Sequence, residues 1–238
     1  MKASITFFKC ALVCLAVALC SGCANQKAWV YRSNTYPAAT ASTNKKVAVL
    51  PFEDARENKN QNYWGVYLIP LAPYGSQNFD APEGESTHIA SGMWLNFKPT
   101  EDFPKALAED LRNTHLFADA FFDYRQDSGD YVVKGKIIST KYVGRLISYG
   151  LSVYGPDLWL IGFPACWTRN DLSLELSLVD SKNDKVLFSK TYTATPRQGC
   201  AWIYDLKNDF NYSEMLAERN KQFCTEIQPA LMAAPQGL

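Results

Sequence analysis

One serine lies between glycines in a setting that could expose a nucleophile. Residues 150–155 read GLSVYG, whereas the strained turn that presents a hydrolase serine needs the pattern Gly-x-Ser-x-Gly. The spacing after Ser152 is one residue too long. His88 and His115 both precede Ser152, so the chain order in which a histidine base follows the serine fails as well. The sequence therefore disfavours an envelope hydrolase, and we predict no catalytic residue and no enzyme.

The cysteines divide into an N-terminal group and three downstream thiols at Cys166, Cys200 and Cys224. In an oxidising compartment three thiols allow one disulfide and one leftover. Cys166 and Cys200 flank a predicted hairpin, so we favour that pair and expect Cys224 to be buried on a helix. A zinc site is the alternative, but the close Cys-x-x-Cys spacing of such sites is missing. We predict no metal and no cofactor.

Residues 1–22 have the layout of a secretory signal. Lysines precede an apolar run at 11–19, and the small residues Ser21 and Gly22 stand directly before Cys23. The run is about half of the ~20 residues that a membrane-spanning helix requires. The processing site resembles the bacterial lipobox. That resemblance implies cleavage before Cys23 and acylation of this cysteine, with palmitate among the acyl groups.

The residues after Cys23 bear on location and partners. In enteric lipoproteins an Asp after the acylated cysteine retains the protein in the inner membrane, and this chain has Ala24, so we expect the periplasmic face of the outer membrane. Residues 23–45 contain few large aliphatic side chains and predict a flexible tether. Removing two lysines with the signal leaves 22 basic and 24 acidic residues, a net charge of −2. Without a basic run, no nucleic-acid partner is expected.

Residues 46–234 predict one periplasmic α/β domain of ordinary size. The run KVAVLPF at 46–52 is typical of a buried strand, and leucines alternate with polar residues through 172–178, the period of a half-buried strand. Apolar stripes predict helices that end near residue 113 and that begin near residue 211. The fold class is therefore α/β (α+β), a small mixed sheet with helices packed on one face.

Two segments do not fit this simple plan. Residues 57–99 form a long aromatic insertion that we predict to be a loop, and functional loops often combine aromatics with fixed turns. Residues 146–167 are apolar with one charge, and glycines and prolines restrict them to a short helix after Pro156 with flanking loops. This apolar segment suits burial over the sheet, a protein partner or a membrane interface. Partner-contact candidates are the large aromatics of both segments: Trp64, Tyr67, Tyr74, Phe79, Trp94, Tyr154 and Trp159.

Three passages resemble a group of periplasmic α/β domains. They are VAVLPFED (47–54), FPKALAEDLRNTHLFADAFF (103–122) and YVVKGKI (131–137). The group comprises the curli-secretion-type lipoproteins, the N-terminal domain of TolB and the lipoprotein activators of penicillin-binding proteins. The resemblance implies a non-catalytic assembly, regulatory or scaffold factor that binds an envelope protein or further copies of itself. A component of an oligomeric outer-membrane secretion or transport system is the alternative. Transfer of function from a shared fold is analogy.

Overall fold

The computed structural model describes residues 27–37, 42–83, 94–95, 98–200 and 211–233. Its helices are α1 (Pro99–Asn113), α2 (Gly155–Leu160) and α3 (Tyr212–Ala233). Its strands are β1 (Lys27–Ala28), β2 (Lys46–Val49), β3 (Glu53–Asp54), β4 (Gln61–Tyr63), β5 (Tyr74–Phe79), β6 (Trp94–Leu95), β7 (Asp119–Phe122), β8 (Tyr131–Ser139), β9 (Tyr142–Ile147), β10 (Cys166–Asn170), β11 (Leu172–Asp180), β12 (Lys185–Ala194) and β13 (Arg197–Cys200). The predicted α+β class is confirmed.

The main sheet has the strand order β12-β11-β8-β2-β7, and β3 extends the pairing along β8. Strand β2 is parallel to β7 and β8, whereas β11 and β12 form an antiparallel hairpin. Val47, Ala48 and Val49 are fully buried, as the apolar run predicted for a central strand. Pro51 follows two residues later and lacks the backbone N–H needed to continue the ladder.

The two long helices lie side by side on the main sheet. Leu172, Leu174, Leu176 and Leu178 of β11 are buried, and their polar neighbours are not. The helices supply the facing apolar side chains: Phe103, Leu107 and Leu111 from α1, and Leu216, Phe223, Ile227 and Leu231 from α3. The period-two strand and the helical stripes of the sequence thus meet in one core, as predicted.

A second sheet, with the strand order β13-β10-β9-β5-β4, is antiparallel throughout. It was not expected, because two of its strands come from the range 57–99 that we predicted to be a loop. Strands β4 and β5 read QNY and YGSQNF and lack the alternation of apolar residues that indicates a half-buried strand. Backbone pairing with β9, nearly 70 residues downstream, makes β5 a strand.

The N-terminal segment also differs from the expected tether. Trp29, Tyr31 and Tyr36 pack against the main core, and the Trp29 ring lies 5.9 Å from the ring of Phe103. Burial of these aromatic rings stabilises the packed position of the segment. The sequence did not predict it, because most residues of the segment are small or polar. Residues 29–37 are therefore part of the folded domain.

A glycine in the middle of β8 permits one close contact in the main core. A Cβ atom at Gly135 would lie 2.3 Å from the ring of Phe52, far inside van der Waals contact. Phe52 is buried and follows the proline that ends the first apolar run. The ring thus occupies the space that a side chain at position 135 would need.

Candidate contact surface

Two connections meet at one end of the second sheet. Residues 64–73 join β4 to β5, and residues 148–165 join β9 to β10. We call these two segments together the apolar tip. The backbone N–H of Leu71 donates to the Gly150 carbonyl at 2.9 Å, and the Ser152 hydroxyl donates to the Leu68 carbonyl at 2.7 Å. Hydrogen bonds between the two connections therefore hold the tip as one unit.

A small apolar cluster supports the apolar tip from inside. Tyr67, Trp159 and Ala165 are buried together, with 6.3 Å between the Tyr67 and Trp159 rings. The Trp159 indole N–H donates to the Ile147 carbonyl at 3.0 Å, so its polar atom is satisfied. Trp159 lies on α2, the short helix predicted after Pro156. This cluster fixes the shape of the apolar tip.

The outer surface of the apolar tip is made of large apolar side chains in contact with water. The most exposed are Leu71 (89%), Ile161 (71%), Leu160 (70%) and Tyr154 (69%). Leu68, Ile69, Leu151, Val153 and Phe163 are exposed as well. The two segments contain one charged residue, Asp157. Exposed apolar side chains grouped in this way are typical of interaction sites.

The predicted contact residues divide into exposed and buried ones. Trp64, Tyr74 and Tyr154 are exposed, whereas Tyr67, Phe79 and Trp159 are buried and hence not available to a partner. Tyr67 and Trp159 pack on each other, and the Phe79 ring stacks on Tyr142 at 5.8 Å. The Trp94 side chain lies outside the described part of the structure. The prediction from sequence considered only aromatic residues as contact candidates. It therefore missed the exposed aliphatic residues of the apolar tip.

The open face of the second sheet carries a basic groove next to the apolar tip. The groove has a volume of about 350 Å³ and is lined by Asn78, Lys141, Val143, Arg145, Trp167, Thr168, Arg169 and Arg197. The Arg145 guanidinium lies 4.9 Å from the centre of the Tyr74 ring, a cation–π contact. The three arginines lie on three different strands and Lys141 lies in the connection before β9, so the sequence shows no basic run.

A buried polar cluster fastens the N-terminal segment to the two long helices. The Asp110 carboxylate on α1 is fully buried and accepts hydrogen bonds from the Tyr31 hydroxyl and from the Asn34 backbone N–H at 2.7 Å. Asn220 of α3 donates to the Tyr31 oxygen at 3.0 Å. Burial raises the pKa of the Asp110 carboxyl above its ordinary value. Asp110 lies nearly 80 residues from Tyr31 and Asn34 in the sequence, so no local motif predicts this cluster.

Ser152 shows the geometry of a turn residue. Its φ is +53°, and its hydroxyl donates to a carbonyl as described above. His115 follows α1 and is the described histidine, because His88 lies outside the described residues. The Ser152 hydroxyl thus has a backbone carbonyl as its hydrogen-bond partner, and among the described residues no hydrogen bond joins it to a His. The absence of enzymatic activity stays a prediction.

The structure joins Cys166 and Cys200 by a disulfide, with 5.1 Å between their Cα atoms. The two residues face each other across β10 and β13, in agreement with the favoured pairing. Cys224 is free and buried on α3. In the described ranges no group of three or more His, Cys, Asp or Glu residues could hold a metal. Cys23 lies outside the described residues.

The sequence matches no protein-family model and no curated protein. The fold is similar to that of XCC0632 from Xanthomonas campestris, of the family model DUF330, with a TM-score of 0.52 and 12% identity over 89% of this chain and 99% of that one. The neuraminyllactose-binding hemagglutinin homologue of Helicobacter pylori gives 0.43 and 8%, covering 87% and 95%. The PelC dodecamer of Paraburkholderia phytofirmans gives 0.37 and 16%, covering 84% and 94%.

Of these three similarities only the first has a TM-score above 0.5, and at 12% identity it concerns the fold alone. None of the three is named as a curli-secretion lipoprotein, TolB or an activator of penicillin-binding proteins, so that resemblance stays a prediction. No helix within the described ranges is long and apolar enough to cross a membrane.

Proposed function

We propose that this chain is a lipid-anchored, non-catalytic factor of the bacterial envelope that acts by contact through the apolar tip. Acyl groups on Cys23 would hold it at the outer membrane, with the domain on the periplasmic side. The observation that carries the proposal is the exposed apolar surface built from residues 64–73 and 148–165. Exposure of apolar surface to water is unfavourable, so covering it with a partner lowers the free energy and favours binding.

The contact surface is tested by photocrosslinking in living cells. A photoreactive phenylalanine analogue replaces Tyr154 in the apolar tip or Tyr124 beside the main sheet, two tyrosines of matched exposure (69% and 66%). We expect a discrete adduct from position 154, either with an envelope component or with a second copy, and none from position 124. Equal labelling at both positions, or no adduct at 154, contradicts the proposal.

The anchor is tested independently of the contact surface. A Cys23→Ala variant removes the thiol that takes the acyl groups. We expect it to lose incorporation of labelled palmitate and to accumulate with its signal uncleaved. A variant that is still processed normally and still resists washing from membranes refutes the anchor. Cys224→Ala serves as the control for loss of a thiol, since Cys224 is buried and free.

A further inference from the structure

We propose that the surface covering the apolar tip is a lipid leaflet with anionic headgroups, into which the tip inserts while the basic groove contacts phosphate. This rests on the proposed function, because it names the partner of the same site. The residues that carry it are the exposed aliphatics of the tip and the cations Lys141, Arg145, Arg169 and Arg197, together with Trp167.

Side chains on the open face of the second sheet follow a fixed order away from the tip. Tyr74 pairs with Ile147 where the strands leave the tip, and two residues further along β9 Arg145 lies opposite Trp167. The next pair on this face joins Arg169 to Arg197. At 3.3–3.4 Å per residue these levels lie about 7 Å and about 13 Å from the first one. The order is therefore Tyr74 with Ile147, then Arg145 with Trp167, and then Arg169 and Arg197 beside the uncharged Val143 and Asn78.

This order matches the layers of a membrane surface. Aliphatic side chains partition into hydrocarbon, tyrosine and tryptophan prefer the headgroup level, and arginine and lysine reach the phosphates. The headgroup region is about 5–8 Å thick in each leaflet. With the level of Tyr74 and Ile147 at the boundary of the hydrocarbon, Arg145 and Trp167 would lie at the outer edge of the headgroups. Arg169 and Arg197 would lie about 5 Å further out, still within a Debye length of the headgroup charge.

Charge complementarity favours an anionic leaflet over a protein partner. The segment 141–171, which forms most of the tip and of the groove, contains the carboxylates Asp157 and Asp171. Asp171 pairs with Arg169 at 3.1 Å. The remaining cations of the groove, Lys141, Arg145 and Arg197, give it a positive charge that a negatively charged partner would complement. Phosphate headgroups supply the opposite sign at uniform depth, and each lysine or arginine near such a surface strengthens binding.

The length of the anchor also brings the domain close to the membrane. Because residues 29–37 are docked on the domain, the acylated position 23 and Trp29 are six positions apart in the sequence. At 3.3–3.6 Å per residue they span at most about 20 Å. A domain held at that distance meets a leaflet at high local concentration, so a modest intrinsic affinity of the tip is enough for docking.

The proposal is tested with the processed, lipidated protein reconstituted into vesicles of phosphatidylglycerol and phosphatidylcholine that carry a nitroxide on the acyl chain. An NBD fluorophore is attached through Leu160→Cys in the apolar tip or through Val186→Cys on β12, both exposed positions. The native thiols do not react, because Cys166 and Cys200 are joined and Cys224 is buried. We expect a blue shift and strong quenching at position 160 and neither at position 186.

Headgroup charge is tested in the same vesicles. Lys141→Gln combined with Arg197→Gln should lower the ratio of docked to undocked tip by about thirtyfold, because each cation–headgroup contact accounts for about a fivefold change. Vesicles of phosphatidylcholine alone should lower it at least as much. Unchanged quenching in both cases overturns the assignment to anionic headgroups. A Lys134→Gln, Lys185→Gln pair on the main sheet is the matched control and should leave the quenching unchanged.

The remaining outcomes separate this inference from the proposed function. No quenching at position 160, or equal quenching at 160 and 186, overturns insertion of the tip. A protein adduct from Tyr154 in cells without quenching in vesicles overturns it too, while leaving the contact function intact. A protein that does not float with the vesicles refutes the lipid anchor, and the fluorophore at position 160 still reports whether the tip inserts.

Discussion

The two sheets of this protein use apolar residues in opposite ways. In the main sheet, the leucines of β11 and the stripes of α1 and α3 are removed from water within the chain. In the second sheet, a cluster of three buried residues supports a tip whose aliphatics are left in water. Apolar side chains thus stabilise the main core and, in the function proposed above, make the contact at the tip. Their exposure rather than their residue type distinguishes the two roles.

The largest effect should follow from a cavity in the main core. Leu176→Ala removes a fully buried side chain between the sheet and the helices, and such changes destabilise by about 2–5 kcal/mol. Urea unfolding followed by circular dichroism measures the loss. A change below about 1 kcal/mol would show that this part of the core is not tightly packed.

The disulfide should be the next most important contribution, and it acts on the second sheet. Cys166→Ala with Cys200→Ala opens a connection of 34 residues, which costs about 2–4 kcal/mol through the entropy of the unfolded chain. Urea unfolding of the double variant measures the cost. Reduction of the native protein by dithiothreitol should give the same stability as the variant, and a different value would reveal strain or contacts specific to the alanines.

Asp110 should give a smaller effect with a distinctive pH dependence. Its folded-state pKa is raised by burial, so its contribution to stability is fully present below the ordinary pKa and is lost as pH rises through the raised value. Asp110→Asn removes this titration. The stability of the native protein minus that of D110N should therefore fall as pH increases from about 4, measured by urea unfolding. A difference that rises with pH would contradict the assignment.

The smallest effect on stability should come from the apolar tip. Leu160→Ser exchanges an exposed side chain for a polar one, and surface changes of this kind stay within about 0.5 kcal/mol. Urea unfolding should not distinguish the variant from the native protein, although crosslinking from Tyr154 should weaken. A loss of stability near that of Leu176→Ala would show that the tip belongs to the core after all.

The periodicity of apolar residues predicts the strands and helices of the main sheet, but it does not predict the strands of the second sheet. The buried run at 46–52, the alternation at 172–178 and the stripe on α3 each reflect a local pattern that the fold preserves. Strand β5 reads YGSQNF, and its residues pair with β9 through backbone groups that every residue carries. No local pattern of side chains indicates such pairing.

The candidate site was predicted in location more than in detail. The segment 146–167 was recognised from its apolar composition, and the short helix after Pro156 formed where the proline favours a helix start. Contacts between segments far apart in the chain, such as Tyr67 with Trp159, decide which aromatic residues are buried. The sequence alone does not predict such contacts. The basic groove arises because three separate strands place single cations on one face.

The contact between Phe52 and Gly135 links two positions more than 80 residues apart into a single volume. Because the ring fills the site of the missing Cβ, a methyl group at 135 requires a smaller side chain at 52. Gly135→Ala alone should be harmful, and Gly135→Ala with Phe52→Leu should be partly rescued, a non-additivity typical of touching residues. Any side chain at position 135 thus depends on a smaller residue at position 52 being in place first, whereas a smaller residue at 52 leaves only a cavity.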